Sequence, residues 1–226
     1  MSLKSRLIFQ HVAIFFVGIG ILFLPAGTIH FWQAWVFLAI LFIPMAIFSV
    51  YFYKRDPAVL ARRMQRREKQ TAQKWIMSFA AVASFAGFMA PSFDHRFGWT
   101  RRWFGEVPLW VEIVAQLVVL AGYLGTMWVV GVNHYAARTI QVEEGQKVIS
   151  TGPYSWIRHP MYFFALIMWM AVPPALGSYA ALPIAALLIP VLVLRLLNEE
   201  KFLRRELAGY EEYCRATPHH LIPYIW

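Results

Sequence analysis

The chain has 226 residues, 59% hydrophobic and 15% charged, with a mean hydropathy of +0.51. Soluble domains carry about 25% charged residues; the lower share here, gathered into short runs between long apolar stretches, excludes an ordinary water-soluble domain and reads as membrane protein. The formal charge of +9 fits loops that meet anionic lipid rather than a nucleic-acid surface, and the single cysteine excludes an internal disulfide framework.

Six apolar stretches follow in order: Leu7–Leu24, Phe31–Tyr53, Trp75–Ala90, Leu109–Val132, Met161–Val172 and Ser178–Leu194. A helix needs about 20 apolar residues to cross the hydrocarbon core. The second and fourth stretches meet that easily, and the first and third lie near the lower limit. The fifth is too short to cross alone. Pro173-Pro174 and Gly177 break the chain just after it, so the last pair is expected as a helical hairpin, partly re-entrant or fully spanning. Lys4 and Arg6 precede the first stretch as in a signal peptide, but its apolar part is longer than an h-region and no A-x-A site follows. A retained anchor is expected. Gly18-Ile-Gly20 sits inside that stretch with no strand before it, which fits helix packing and not a dinucleotide loop.

The predicted fold is therefore all-α, a polytopic membrane bundle of about five to six transmembrane helices with a C-terminal hairpin. Residues 1–132 form the scaffold and 133–226 the catalytic region. Of the 21 Lys and Arg residues, 18 fall in the N-terminus, the 54–74 and 133–159 loops and the tail from Arg195. This bias predicts that both termini and both long loops are cytoplasmic, in a bacterial inner membrane or the endoplasmic reticulum. The loop from Lys54 to Lys74 is expected as a basic helix on the inner membrane surface, with Val59, Leu60 and Met64 toward lipid. A docking site for an acidic partner is the alternative.

From Asn133 to the C-terminus polar and ionisable residues crowd against the ends of the apolar helices. The run Thr151-Gly152-Pro153-Tyr154-Ser155-Trp156-Ile157-Arg158-His159-Pro160-Met161-Tyr162 opens with a Gly-Pro turn, and Pro160 suits the first position of a helix. His159 then falls at or beside the N-cap, with Tyr162 on the same face. A helix start attracts anionic groups; an aromatic and basic cluster anchoring the interface is the other reading. The second run, Arg195-Leu196-Leu197-Asn198-Glu199-Glu200-Lys201-Phe202, closes the last apolar helix. Arg195 and Glu199 share a face at i, i+4, while Glu200 turns partly away. The pair suits a zwitterionic ligand at the bilayer edge, or is an ordinary surface ion pair. Asn133, His134 and Arg138 are either head-group contacts or plain loop residues. No Cys/His cluster has zinc spacing, so no metal site is expected, and Cys214 in the polar tail is taken as incidental.

These residues resemble the isoprenylcysteine carboxyl methyltransferase family and its phospholipid methyltransferase relatives. The resemblance runs from about Gln141 to Tyr224. It rests on Gly152 to Tyr162, on Arg195 to Glu200 about 33 residues later, on Gly209-Tyr210-Glu211-Glu212-Tyr213 and on Leu221-Ile222-Pro223. It implies methyl transfer from S-adenosylmethionine to a lipophilic acceptor, an isoprenylcysteine-type carboxylate or another lipid-like molecule, with the cofactor in a cytoplasm-facing pocket. Carried over, Gln141, Gln146, Lys147, Val148, Ile149, Tyr154, His159, Pro160, Met161, Tyr162 and Glu199 line the cofactor. Arg195 sits at the acceptor side, and Glu200 is the candidate base for an amine acceptor. The expected partners are this amphiphilic substrate and membrane lipids. Two rivals stand beside this reading. An NADPH-dependent sterol-type reductase shares the HPxY element and the Ile222-Pro223-Tyr224 ending. A channel or transporter would instead place charges near the bilayer midplane.

Overall fold

The structure, a computed structural model, describes residues 3–64, 71–133, 135, 142 and 145–226. Ten α-helices lie within these residues: α1 (Leu3–Ala26), α2 (Trp32–Arg55), α3 (Pro57–Met64), α4 (Thr71–Phe97), α5 (Trp99–Trp103), α6 (Leu109–Val132), α7 (Pro160–Ala175), α8 (Leu182–Ala186), α9 (Leu188–Glu206) and α10 (Tyr210–Ala216). A short 3-10 turn, Gly152–Ser155, precedes α7. Five helical segments are long and apolar enough to cross a membrane: α1, α2, the Trp75–Phe97 part of α4, α6, and α8 with α9 as one span. The protein is an integral membrane helix bundle. The 16 residues of α7 form a shorter sixth apolar helix.

The apolar residues that fill the interior divide between two ends. At one end Leu22, Phe31, Phe37, Val119, Val172 and Leu176 join α1, α2, α6 and α7 in a single core. At the other, the basic end, Phe52, Val59, Leu60 and Val130 form a smaller cluster with Leu7, Phe48 and Met161 against it. Val59 and Leu60 are only 1% and 5% exposed. Here the structure corrects the expectation for the basic loop: these two residues face the bundle and not lipid, because α3 turns back directly after α2 and lays its apolar side on Phe52 and Val130. Met64 ends α3, and its side chain lies outside those described.

Glycine sets the closest helix contact. A Cβ at Gly122 would stand 2.8 Å from Met168 Cβ, and one at Gly125 would stand 2.3 Å from the Phe164 ring. Without those carbons α6 and α7 approach until backbone meets side chain, the usual device where lipid supplies no hydrophobic drive between helices. This contact places the start of α7 against the end of α6.

The end away from the basic cluster is closed by buried polar groups. The helix α4 runs past the expected Ala90 to Phe97, carrying Asp94 inward. Its carboxylate accepts from the Thr100 amide and hydroxyl and from the Ser178 hydroxyl, while Thr100 Oγ1 accepts from the amides of Tyr179 and Ala180. Nearby, Gln33 donates to Glu112 at 3.0 Å, and Gln116 donates to the carbonyls of Gln33 and Ala175. The hairpin turn follows, where Gly177 takes a φ of 71° and passes so close to Glu112 that a Cβ would lie 2.9 Å from its Oε1. The network ties these elements together but is only partly satisfied, since Gln33 Oε1 and Gln116 Oε1 are buried without a hydrogen-bond partner among the described residues.

Candidate functional site

His159 is the N-cap of α7 and Pro160 its first residue, as the spacing predicts. Pro fits because the first helical amide needs no partner and its φ is already helical. One turn along, Tyr162 points at α9, where its hydroxyl donates to Glu199 Oε2 at 2.5 Å. Arg195, one turn before Glu199 and buried, lies close enough to bond the same hydroxyl. Tyr154, in the 3-10 turn, completes the group: its hydroxyl accepts from Asn133 Nδ2 at 2.9 Å, and it lies within the field of Glu199. Burial, with the nearby Glu199 charge, pushes the Tyr154 phenol up to about 12, so it stays a neutral hydroxyl at physiological pH. Two tyrosines, a half-buried carboxylate and a guanidinium thus converge from three elements.

Glu200 does the opposite of what its helix position predicts. It is 4% exposed, while Glu199 is half-buried. The reason is the number of polar partners around it. Glu200 Oε1 pairs with Arg158 Nη2 at 3.0 Å and Arg204 Nη2 at 2.9 Å, and Oε2 meets His159 Nε2 at 3.3 Å and His220 Nε2 at 3.1 Å. A buried carboxylate needs such partners. Burial pushes the His220 imidazole down, against the pull of Glu200. The His159 ring meets the same carboxylate through Nε2.

The tail is strapped across this cluster. Arg158 Nη1 donates to the carbonyls of Thr217 and Pro218, each at 2.8 Å, and the amides of Arg158 and His159 donate to His219 and His220. Tyr213 donates to the Tyr154 carbonyl at 2.8 Å. Cys214 is buried beside Leu207, Tyr210 and Tyr213, with Val148 and Tyr154 packed on them, and burial pushes its thiol up. The Tyr210 hydroxyl is buried with no partner among the described residues, and it lies close enough to Glu199 and Glu200 to feel both charges.

Most of the residues expected at the site lie in this region. Tyr154, Tyr162, Arg195 and Glu199 meet; His159 and Glu200 form the adjoining ion cluster. Pro160 is buried at the start of α7, and Met161 turns toward Phe52, Leu60 and Val130. Val148 lies by the tail cluster, Lys147 is exposed, and Gln146 and Ile149 flank them in the extended approach to Gly152. Gln141, His134 and Arg138 lie outside the described residues. Sequence reasoning missed Arg158, Arg204, His220 and Tyr213. Arg158 stood inside the quoted run, but its carbonyl partners lie about 60 residues away, at no spacing that a motif encodes.

The sequence model of the phospholipid methyltransferase family matches residues 110–208. The match takes in α6, the Gly152–Tyr162 run and Arg195 to Glu200, and stops before the tail motifs. Three curated relatives are similar over part of the chain. The nickel-cobalt-cadmium resistance protein NccN of Alcaligenes xylosoxydans xylosoxydans is 30% identical over 109 residues, 46% of this chain and 50% of that protein. The cobalt-zinc-cadmium resistance protein CzcN of Cupriavidus metallidurans is 30% identical over 120 residues, 52% of each. The mouse Delta(14)-sterol reductase TM7SF2 is 29% identical over 91 residues, 39% of this chain and 22% of that protein. The chain spans about half the length of the first two, and less of the third. The likeness to the phospholipid methyltransferase family thus extends over residues 110–208, less than half of the chain.

Proposed function

We propose that this protein is a membrane methyltransferase that takes its methyl group from S-adenosylmethionine and passes it to a lipid-like acceptor, with the donor pocket on the cytoplasmic side. The observation that carries this reading is the convergence of Tyr154, Tyr162, Glu199 and Arg195 at the basic end of the bundle. The residues fit such a cofactor. A half-buried carboxylate suits its ammonium, and the orphaned Tyr210 hydroxyl suits a further polar group brought by a ligand. When bound, the cofactor supplies an electrophilic methyl on a sulfonium.

The chain's own residues orient and exclude water. Tyr162 fixes the Glu199 carboxylate through its hydroxyl, and the faces of Tyr154 and Tyr162 suit a cationic sulfur. Arg195, beside Tyr162, stands toward the acceptor. Because the reaction is an in-line displacement, alignment in a dry site accounts for most of the rate. Glu200 is assigned to architecture and not to proton removal, since Oε1 already pairs with Arg158 and Arg204 and Oε2 already meets the rings of His159 and His220. His159 acts with it, closing the cluster that anchors the tail.

The test is a thermal-stability titration of the detergent-purified protein with S-adenosylmethionine, S-adenosylhomocysteine and NADPH. A ligand that binds only the native state raises the melting temperature by mass action. Stabilisation by the two methionine-derived ligands, weakened in Glu199→Ala, is expected. Stabilisation by NADPH alone would replace this reading with the reductase, to which the partial similarity with a sterol reductase lends support.

A further inference from the structure

Between α1, α2 and α6, at the basic end, lies a half-open cavity of about 130 Å³. The helix α2 packs on both of the others, and the cavity occupies the gap that α1 and α6 leave between them. On α1 its wall runs from Leu7 through His11 to Ile14, a rise of about 10 Å into the bundle. Met45, Phe48 and Met127 make the facing walls apolar, and unbranched methionines adapt to chains of varied shape. Polar groups in the wall are taken up within it. Ser49 Oγ lies 3.0 Å from His11 Nε2, His11 Nδ1 lies 2.7 Å from the Leu7 carbonyl, and the Thr126 hydroxyl donates to the Tyr123 carbonyl at 2.6 Å. What the cavity presents is chiefly hydrocarbon, with the Gln10 carboxamide able to donate beside it.

Cations stand over this hydrocarbon. Lys4 precedes Leu7 by three residues and His11 by seven, and Arg6 precedes Gln10 by four. On a helix those spacings keep side chains on neighbouring rows, so the two cations flank the cavity-lining face of α1 at its surface end. Both are exposed. An apolar slot about 10 Å long beneath two exposed cations matches an amphiphile with an acyl chain and an anionic head. A protein segment would have to enter between helices at membrane depth, where lipid already is.

We propose that this cavity is a binding site for an anionic phospholipid of the leaflet on the basic side. One acyl chain enters between α1 and α6 against Met45, Phe48 and Met127. An ester carbonyl accepts from Gln10, and the phosphate sits between Lys4 and Arg6. The bound lipid fills the gap between the two helices and so fastens α1 to the bundle. Each cation beside an anionic head group favours it about fivefold. The site stands apart from the tyrosine–carboxylate site, and its occupancy does not depend on the methyltransferase reading.

The experiment titrates the full chain in detergent with phosphatidylglycerol and, separately, with phosphatidylcholine of the same acyl chains, following the melting temperature. Phosphatidylglycerol is expected to raise it at about a twentyfold lower concentration, the product of two cations. The double variant Lys4→Gln, Arg6→Gln abolishes that preference while the lipid-free protein melts as wild type does. Soluble glycerol phosphate at the same concentration has no effect. A phosphatidylglycerol with a diazirine in its acyl chain is then irradiated on the protein, and adducts are mapped by mass spectrometry. Saturable adducts on the cavity faces of α1, α2 and α6, displaced by the unlabelled lipid, are expected. Equal potency of the two lipids overturns the proposal, as do a preference that survives the double variant, stabilisation by glycerol phosphate alone, and adducts scattered over the lipid-facing surface.

Discussion

Glu200 gathers Arg158, His159, Arg204 and His220 around one buried carboxylate. Removing the carboxylate leaves Arg158 in place with its charge uncompensated, and breaking a buried pair on one side costs about 3–5 kcal/mol. Glu200→Ala is therefore expected to destabilise the protein by about 3 kcal/mol, read from its thermal or denaturant midpoint. Tyr162→Phe should behave differently. It deletes one hydroxyl, the donor to Glu199, and leaves the packing volume intact. Its melting temperature should stay near wild type, while S-adenosylhomocysteine binds about tenfold less tightly, as expected when a charge-assisted hydrogen bond no longer holds the carboxylate. A large loss of stability with unchanged binding would show that the hydroxyl serves the fold instead.

Between elements, the α6–α7 contact and the tail strap decide whether the site forms. Gly125→Leu has nowhere to put its side chain, since even a Cβ meets the Phe164 ring at 2.3 Å. Overpacking of this kind costs about 1–3 kcal/mol, and the variant should unfold at a lower denaturant concentration and bind cofactor poorly. The strap has a pH signature. The Tyr154 phenol lies at about 12 against an ordinary 10.0, and burial also raises those of Tyr210 and Tyr213. A group whose folded value lies above its unfolded one stabilises the fold below the unfolded value and loses that contribution as pH climbs through the folded one. The stability held by Tyr154 is thus complete below pH 10 and drains away between about 10 and 12, while that held by Tyr210 and Tyr213, raised further, drains over a window that reaches higher. An alkaline melting series should show this, with the loss shallower in Tyr154→Phe. The two helix-end motifs were legible in the sequence because Pro160 and the i, i+4 pair act within one element. The strap was not, because Arg158 is satisfied by carbonyls of Thr217 and Pro218 that only tertiary folding delivers. The same limit explains Asp94. The third apolar stretch ends at Ala90, short of Asp94, yet Thr100 and Ser178 make that residue part of a buried helix end.

For the molecule as a whole, the apolar stretches foretold the bundle, since length and hydropathy decide what a bilayer admits. The faces of the helices were less legible: Val59 and Leu60 turn inward because of a neighbour, not because of their own pattern. The charge bias carries the orientation. If the spans place 18 of the 21 cationic residues on one side, as the sequence predicts, a fluorescent protein fused after Trp226 should glow in a bacterial host, and alkaline phosphatase at the same place should be silent. Fusions at Glu106, in the α5–α6 loop, should give the reverse. The opposite pattern would place the donor pocket outside the cytoplasm and sink that part of the proposal. A last consequence follows from α7. Its 16 residues rise only about 24 Å, against a hydrocarbon thickness of about 30 Å. No residue of α7 is fully exposed, so its short length is accommodated among the neighbouring helices and not against lipid. Its start, where Tyr162 meets Glu199, is thus walled by protein, and turnover should change little between thin membranes and thick ones.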